Sequence, residues 1–296
     1  MSATQDQLLP PDLMGQLERL ELVTRKIFRG RMKGERRSKR KGESVEFADY
    51  RNYVPGDDLR RLDWNLYARL DKLILKLFQE EEDLHFYTLI DASLSMGFGE
   101  PTKLDYAKQL AAALGFVGLV RSDRVVIETL GQPVRERSPI LRGRRSVGRM
   151  LEHLDNIEPD ETTGLTEGVK NFCLRHRGTG VVVLISDLMD KQGYEAAIKY
   201  LMAQQADVYV IQVLSQEEID PDVVGDLRLV DCEDQDTAEI TVSAPLLSRY
   251  KETLAAFTAG AQDFCSKRGM NYLLANNQTS VKELMTNYMR RRGLVR

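Results

Sequence analysis

An α/β protein built on a doubly wound, mainly parallel sheet is what this sequence predicts, and three observations carry the prediction. Two apolar runs, 87–90 and 181–185, lead almost directly into acids, Asp91 and Asp187. Runs without polar alternation suit strands buried on both faces. Helix-length segments stand between these runs and a third, 208–214, and strands alternating with helices argue a parallel sheet. In such sheets ligands bind beyond the carboxyl ends of the strands, which is where Asp91 and Asp187 fall.

Taken in order, residues 13–28 carry Leu13, Leu17, Leu20, Thr24 and Ile27 at helical spacing, with Pro10-Pro11-Asp12 as the start signal. Residues 25–41 hold ten Lys and Arg against Glu35 alone, broken by Gly30 and Gly34. That run is expected to be a solvated loop. Its alternative role is polyanion binding, but beyond Phe28 no aromatic residue interleaves the charges to stack on bases. Residues 46–71 place strand-like residues around Pro55-Gly56-Asp57-Asp58, a type II turn signal. Their Arg, Asp and aromatic residues suit a bidentate ion-pair network better than an acid-base site, since no His or nucleophile accompanies them. Residues 72–79 make a strand. A nearly all-apolar helix is expected over 105–120, and then a strand over 125–130. A helix follows near 146–154, another over 167–177, and a third over 193–203. Residues 215–245 are acidic, with weak strands at 227–230 and 239–242. A helical stripe runs from Leu246 through Tyr250, Leu254, Phe257 and Ala261 to Phe264, followed by a strand at 270–275. The last helix, marked by Val281, Leu284, Met285 and Tyr288, ends in Arg290-Arg291-Arg292, favourable against its dipole. This divides the chain into 1–82, an N-terminal helix, basic loop and small β appendage, and 83–296, the main α/β domain.

Bulk properties narrow the function classes. At 296 residues and 42% hydrophobic the chain can bury a sizeable core, and a net charge of −3 argues against a whole-protein polyanion binder. Cys173, Cys232 and Cys265 form no close pair, so neither a disulfide framework nor a zinc knuckle is indicated. The first residues have no basic flank and no apolar core, and the longest apolar stretch, 110–120, is too short to span a bilayer. A cytoplasmic protein without membrane insertion, and with no specific nucleic-acid partner, is the expectation.

The chemistry concentrates in residues 87–97, YTLIDASLSMG. Asp91, Ser93 and Ser95 alternate after the apolar strand, so all three can turn toward one point, and small residues let the backbone close around it. A carboxylate with hydroxyls and water is a hard-oxygen set suited to Mg2+ or Mn2+ and poorly suited to zinc or copper. The same residues are also ordinary helix caps. D-x-S-x-S after an apolar strand resembles the metal-ion-dependent adhesion site of von Willebrand factor A domains. That resemblance implies a von Willebrand factor A-like, Rossmann-type fold and a metal set of Asp91, Ser93, Ser95, Thr163 and Asp187. The chain departs from the family's usual pattern in carrying Thr162 where a glycine precedes the loop-two threonine. Either Thr162 or Thr163 can therefore serve.

A second block, Phe47, Arg51, Tyr53, Pro55 to Asp58, Arg60, Asp63-Trp64 and Ala68-Arg69, resembles the signature of domain of unknown function 58. The likeness spans about residues 30–215. It implies a partner, a MoxR-type AAA+ ATPase, for which this chain would be a metal-bearing adaptor. The expected function is thus a metal-dependent protein-binding module and not an enzyme. The alternative is a Mg2+-dependent phosphohydrolase with Asp91 as nucleophile. That chemistry wants a general acid at position 93, where serine stands, and a lysine that the sequence does not identify.

Overall fold

A computed structural model describes residues 8–20, 46–79, 85–130, 139–160, 164–176, 180–232 and 236–295. The basic run 25–41 and Thr162 and Thr163 lie outside the described residues. The chain divides into two compact units, one of residues 30–83 and one of 1–29 with 84–296.

In the smaller unit β1 (Glu46–Asn52) pairs antiparallel with β2 (Ile74–Gln79). Gly56 sits at φ 106°, and the Asp57 amide donates to the Val54 carbonyl at 3.1 Å, so the Pro-Gly turn has the geometry its residues demand. Arg51 forks onto Asp57 at 2.7 and 2.8 Å, and Lys76 pairs with Asp63 at 3.0 Å. The Arg51 bond, with the Val54 amide, holds the Asp57 carboxyl below its ordinary range. Lys76 does the same for Asp63. Asp63 also caps a helix, Trp64–Leu70, that the aromatic content had disguised as strand. Asp57, Asp58 and Asp63 are thus engaged in two ion pairs and two helix caps.

The larger unit holds the six-stranded sheet. Its strands are β3 (His85–Asp91), β4 (Arg124–Leu130), β5 (Leu141–Arg142), β6 (Gly180–Ser186), β7 (Ala206–Leu214) and β10 (Asn271–Asn276). Spatial order is β10-β7-β6-β3-β4-β5, parallel except for short β5. The result is a mixed α/β fold with a mostly parallel central sheet. Alternation along each strand feeds two cores. Phe86 and Ile90, Val181 to Ile185 in steps of two, and Tyr209 to Val213 likewise face one core; Tyr87, Leu89, Val182, Leu184, Val208 and Val210 face the other. Helix Lys103–Val120 has fifteen of its eighteen residues buried, which is why its sequence shows almost no polar face.

Helix Pro11–Leu17 is too short to stand alone, so packing must hold it. Leu9, Leu13, Leu17 and Leu20 are buried in the first core, each adding about 1.5–3 kcal/mol over an exposed leucine. That burial places residues 8–20 with the larger unit, whereas the sequence reading grouped them with the β appendage. β8 (Gly225–Val230) and β9 (Thr237–Val242) form a separate hairpin ahead of helix Ala244–Ser266. Among the described residues no helix is long and apolar enough to cross a membrane.

Gly180 opens β6 beside His85 of β3, and a methyl group there would press into the His85 carbonyl oxygen. Backbone in a paired strand cannot step aside. Gly180→Ala is therefore expected to cost about 1–3 kcal/mol, read as a lower urea midpoint with unchanged slope. An unchanged midpoint would show that these strand starts are loosely held.

Candidate functional site

The chain runs from β3 to β4 on one side, then returns past β3 to β6 on the other. This reversal makes the carboxyl ends of β3 and β6 the switch point of the sheet, the place where open α/β sheets bind their ligands. Asp91 ends β3 and Asp187 follows β6, and both are buried, at 7% and 2% exposure. The fold thus brings together two acids that stand far apart in the sequence.

Hydrogen bonds hold the loops in register. Asp91 Oδ1 accepts the Ser93 amide at 3.0 Å, and Oδ2 accepts the Ser186 hydroxyl at 2.6 Å. The Ser93 and Ser95 hydroxyls lie 3.0 Å apart, and Ser95 donates to Asp187 Oδ2 at 2.9 Å, so Ser93 donates to Ser95. Asp187 Oδ1 accepts the Met189 amide at 3.0 Å. Gln212, wholly buried, donates to the Asp187 carbonyl at 2.8 Å and takes the Tyr272 hydroxyl at 2.6 Å. Burial, and then the charge of Asp187, push the Asp91 carboxyl above its ordinary range, against the bonds from Ser186 and Ser93. Leu188, next after Asp187, is held at φ 62° with its side chain buried. A non-glycine residue there costs roughly 1–2 kcal/mol, and such strain persists where the surroundings over-determine it.

Both flanks of loop two are anchored at this site. The Asp160 amide donates to the Ala92 carbonyl at 2.9 Å, and Asp160 bridges to Ser93. On the other side the Leu165 amide donates to Asp190 Oδ2 at 2.7 Å. A side chain at Gly164 would strike that same carboxylate, so glycine lets the two loops close together. Of the five residues predicted from sequence, four converge here: Asp91, Ser93, Ser95 and Asp187. Thr163, like Thr162, falls outside the described residues.

One residue escaped the sequence reading. Lys103 is completely buried, and its Nζ donates to Asp187 Oδ2 at 2.7 Å and to Glu218 Oε1 at 2.6 Å. Burial alone would lower its pKa, but the charges and hydrogen bonds of Asp187 and Glu218 outweigh it and hold the pKa above its ordinary value. A lysine four residues before Ala107 and seven before Leu110 lies on the buried stripe of its helix, and that misplaced charge was the available signal. Glu218 is positioned by a capping box with Ser215, which nothing in the spacing around Asp91 or Asp187 indicated.

The donor set fits a small, hard cation. Asp187 already accepts three hydrogen bonds, from Ser95, Lys103 and Met189. Asp91, Ser93 and Ser95 would therefore be the direct ligands, with water completing the shell, as Mg2+ prefers. Among the described residues no group of three or more His, Cys, Asp and Glu side chains is disposed to hold a metal, so any ion here would depend on the serine hydroxyls. Phe98, on the loop after Ser95, is 51% exposed and Met189, two residues past Asp187, is 36% exposed. Aromatic and methionine side chains beside a polar centre are common in protein interfaces.

Fold and site together define a mixed α/β protein with a carboxylate, hydroxyl and lysine cluster at the switch point of a mostly parallel sheet. Residues 49–259 match the family described as protein of unknown function DUF58, and the chain belongs to that family. An uncharacterized protein of Mycobacterium bovis and one of Mycobacterium tuberculosis are each 26% identical to it over 255 residues, spanning 84% of this chain and 80% of theirs. Among solved structures it is similar to the conserved hypothetical protein BatB from Bacteroides thetaiotaomicron, at 15% identity and a TM-score of 0.43, over 71% of this chain and 98% of that one. The pilus adhesin SpaC from Lactobacillus rhamnosus GG is similar at 9% identity and a TM-score of 0.45, over 73% of this chain and 32% of that one.

Proposed function

We propose that this protein is a metal-dependent protein-binding module, of von Willebrand factor A type, whose ion is held by Asp91, Ser93 and Ser95, with Asp187 acting through Ser95 or water. The observation that carries the reading is the convergence of two buried carboxylates and two half-buried hydroxyls at the switch point, beside exposed Phe98 and Met189. A carboxylate from a partner would take a remaining coordination place, adding a charge-assisted contact that exists only in the complex. The partner we propose is a MoxR-type AAA+ ATPase, in a reducing, cytoplasmic setting; Cys173 and Cys265 are buried thiols. Binding is favoured over phosphoryl transfer because Lys103 is sealed between two carboxylates, out of reach of a phosphate.

The test is co-purification of the ATPase with Mg2+ and with EDTA, using wild type and Asp91→Ala. Retention should require both the ion and Asp91. Binding that survives chelation and the substitution would place the interface elsewhere, and Mg2+-dependent phosphatase activity lost in Asp91→Ala would favour the enzyme reading.

A further inference from the structure

Lys103 is the first residue of its helix and has no exposed surface. A cation at a helix N-terminus opposes the helix dipole, and an ammonium withdrawn from water is costly unless paired. Two carboxylates answer that cost, and the first of them is Asp187 Oδ2, at 2.7 Å. The ammonium therefore sits on the oxygen that a divalent ion would need for direct ligation by Asp187. Its second partner cannot drift away. Glu218 Oε2 accepts the Ser215 amide at 2.8 Å, while the Glu218 amide donates to the Ser215 hydroxyl at 3.1 Å. Beyond it, the Tyr250 hydroxyl of helix Ala244–Ser266 donates to the Glu218 carbonyl at 2.8 Å.

We infer that Lys103 is an internal cation that competes with a divalent ion for Asp187, and so sets the metal affinity of the site. This rests on the metal-dependent reading above. With the lysine in place, the ion meets one carboxylate that no ammonium neutralises, Asp91, with two hydroxyls and water, a weak set that leaves room for a partner's carboxylate. Without it, Asp187 Oδ2 becomes a direct ligand and a like charge leaves the vicinity of the ion. Both changes have the same sign, and together they tighten binding by about tenfold or more.

The experiment is a Mn2+ titration read by the electron paramagnetic resonance signal of free manganese. Wild type is compared with Asp91→Ala, Lys103→Met, and the double variant Lys103→Met with Glu218→Gln. The double variant removes the ammonium together with one of its partners, so it gives the same reading should Lys103→Met fail to fold. Both lysine variants should bind Mn2+ about tenfold or more tightly than wild type, and should lose that binding when Asp91→Ala is added. Binding by a folded lysine variant that is equal to wild type, or weaker, would overturn the inference. The two readings fail separately. Asp91-dependent binding that ignores Lys103 removes this inference alone, whereas binding that ignores Asp91 removes the metal site itself.

Discussion

In metal-free buffer, Lys103→Met should lower stability by about 3–5 kcal/mol, the usual cost of leaving a buried charge without its partner. Asp187 would keep Ser95 and the Met189 amide but lose its cation, and Glu218 would lose its contact with Nζ. For a unit of this size the loss corresponds to a fall in melting temperature of roughly 6–20 °C. Replacing the whole cluster with neutral groups of similar volume is a different matter. The triple variant Lys103→Met, Asp187→Asn and Glu218→Gln should recover most of the loss, because buried ion pairs add little over well-packed neutral groups. Thermal unfolding of both proteins checks this. A single variant as stable as wild type would mean that water reaches the cluster and already screens it.

How legible this was depends on whether a feature was local in sequence. β3 and β6 announced themselves because a strand buried on both faces needs an unbroken apolar run, and both runs lead into the acids of the candidate site. The order of strands in the sheet had no such local signature, yet it is what brings Asp91 beside Asp187. Helix Trp64–Leu70 was missed although Asp63 is an N-cap residue, because Trp64 and Tyr67 read as strand formers. Lys103 illustrates the deeper limit. Its role depends on Asp187, 84 residues away, and on Glu218, 115 away, so its meaning exists only once the chain is folded. Seen from sequence alone, two carboxylates at one point imply repulsion that a metal must relieve. The lysine supplies part of that relief, and the stabilisation a metal can add is correspondingly smaller.

Asp91→Asn should abolish the thermal response to Mg2+ or Mn2+ while leaving the metal-free protein at least as stable as wild type. Two opposing effects meet at this residue. As a carboxylate, Asp91 is the charged ligand among the described site residues that no lysine already neutralises, since Asp187 Oδ2 is held by Lys103. An ion at a hundredfold excess over its dissociation constant stabilises the fold by about 2.7 kcal/mol, and that increment should vanish in the variant. As a buried group beside Asp187, the same carboxylate is under strain without metal, which is why its pKa is raised by burial and by that neighbour. The sign follows from linkage. A carboxyl with a raised folded pKa favours the fold while protonated, and that contribution is lost as pH rises from about 4 through its folded value. Metal-free wild type should therefore lose stability relative to Asp91→Asn as pH climbs through this range, and added Mg2+ should reverse the difference at neutral pH. Asparagine keeps an oxygen for either the Ser93 amide or the Ser186 hydroxyl, so the loop itself should survive. Melting curves of both proteins across pH, with and without the ion, measure all of this. An equal metal response in the two would remove Asp91 from the site, and a metal-free variant less stable than wild type would show that its hydrogen bonds outweigh the repulsion.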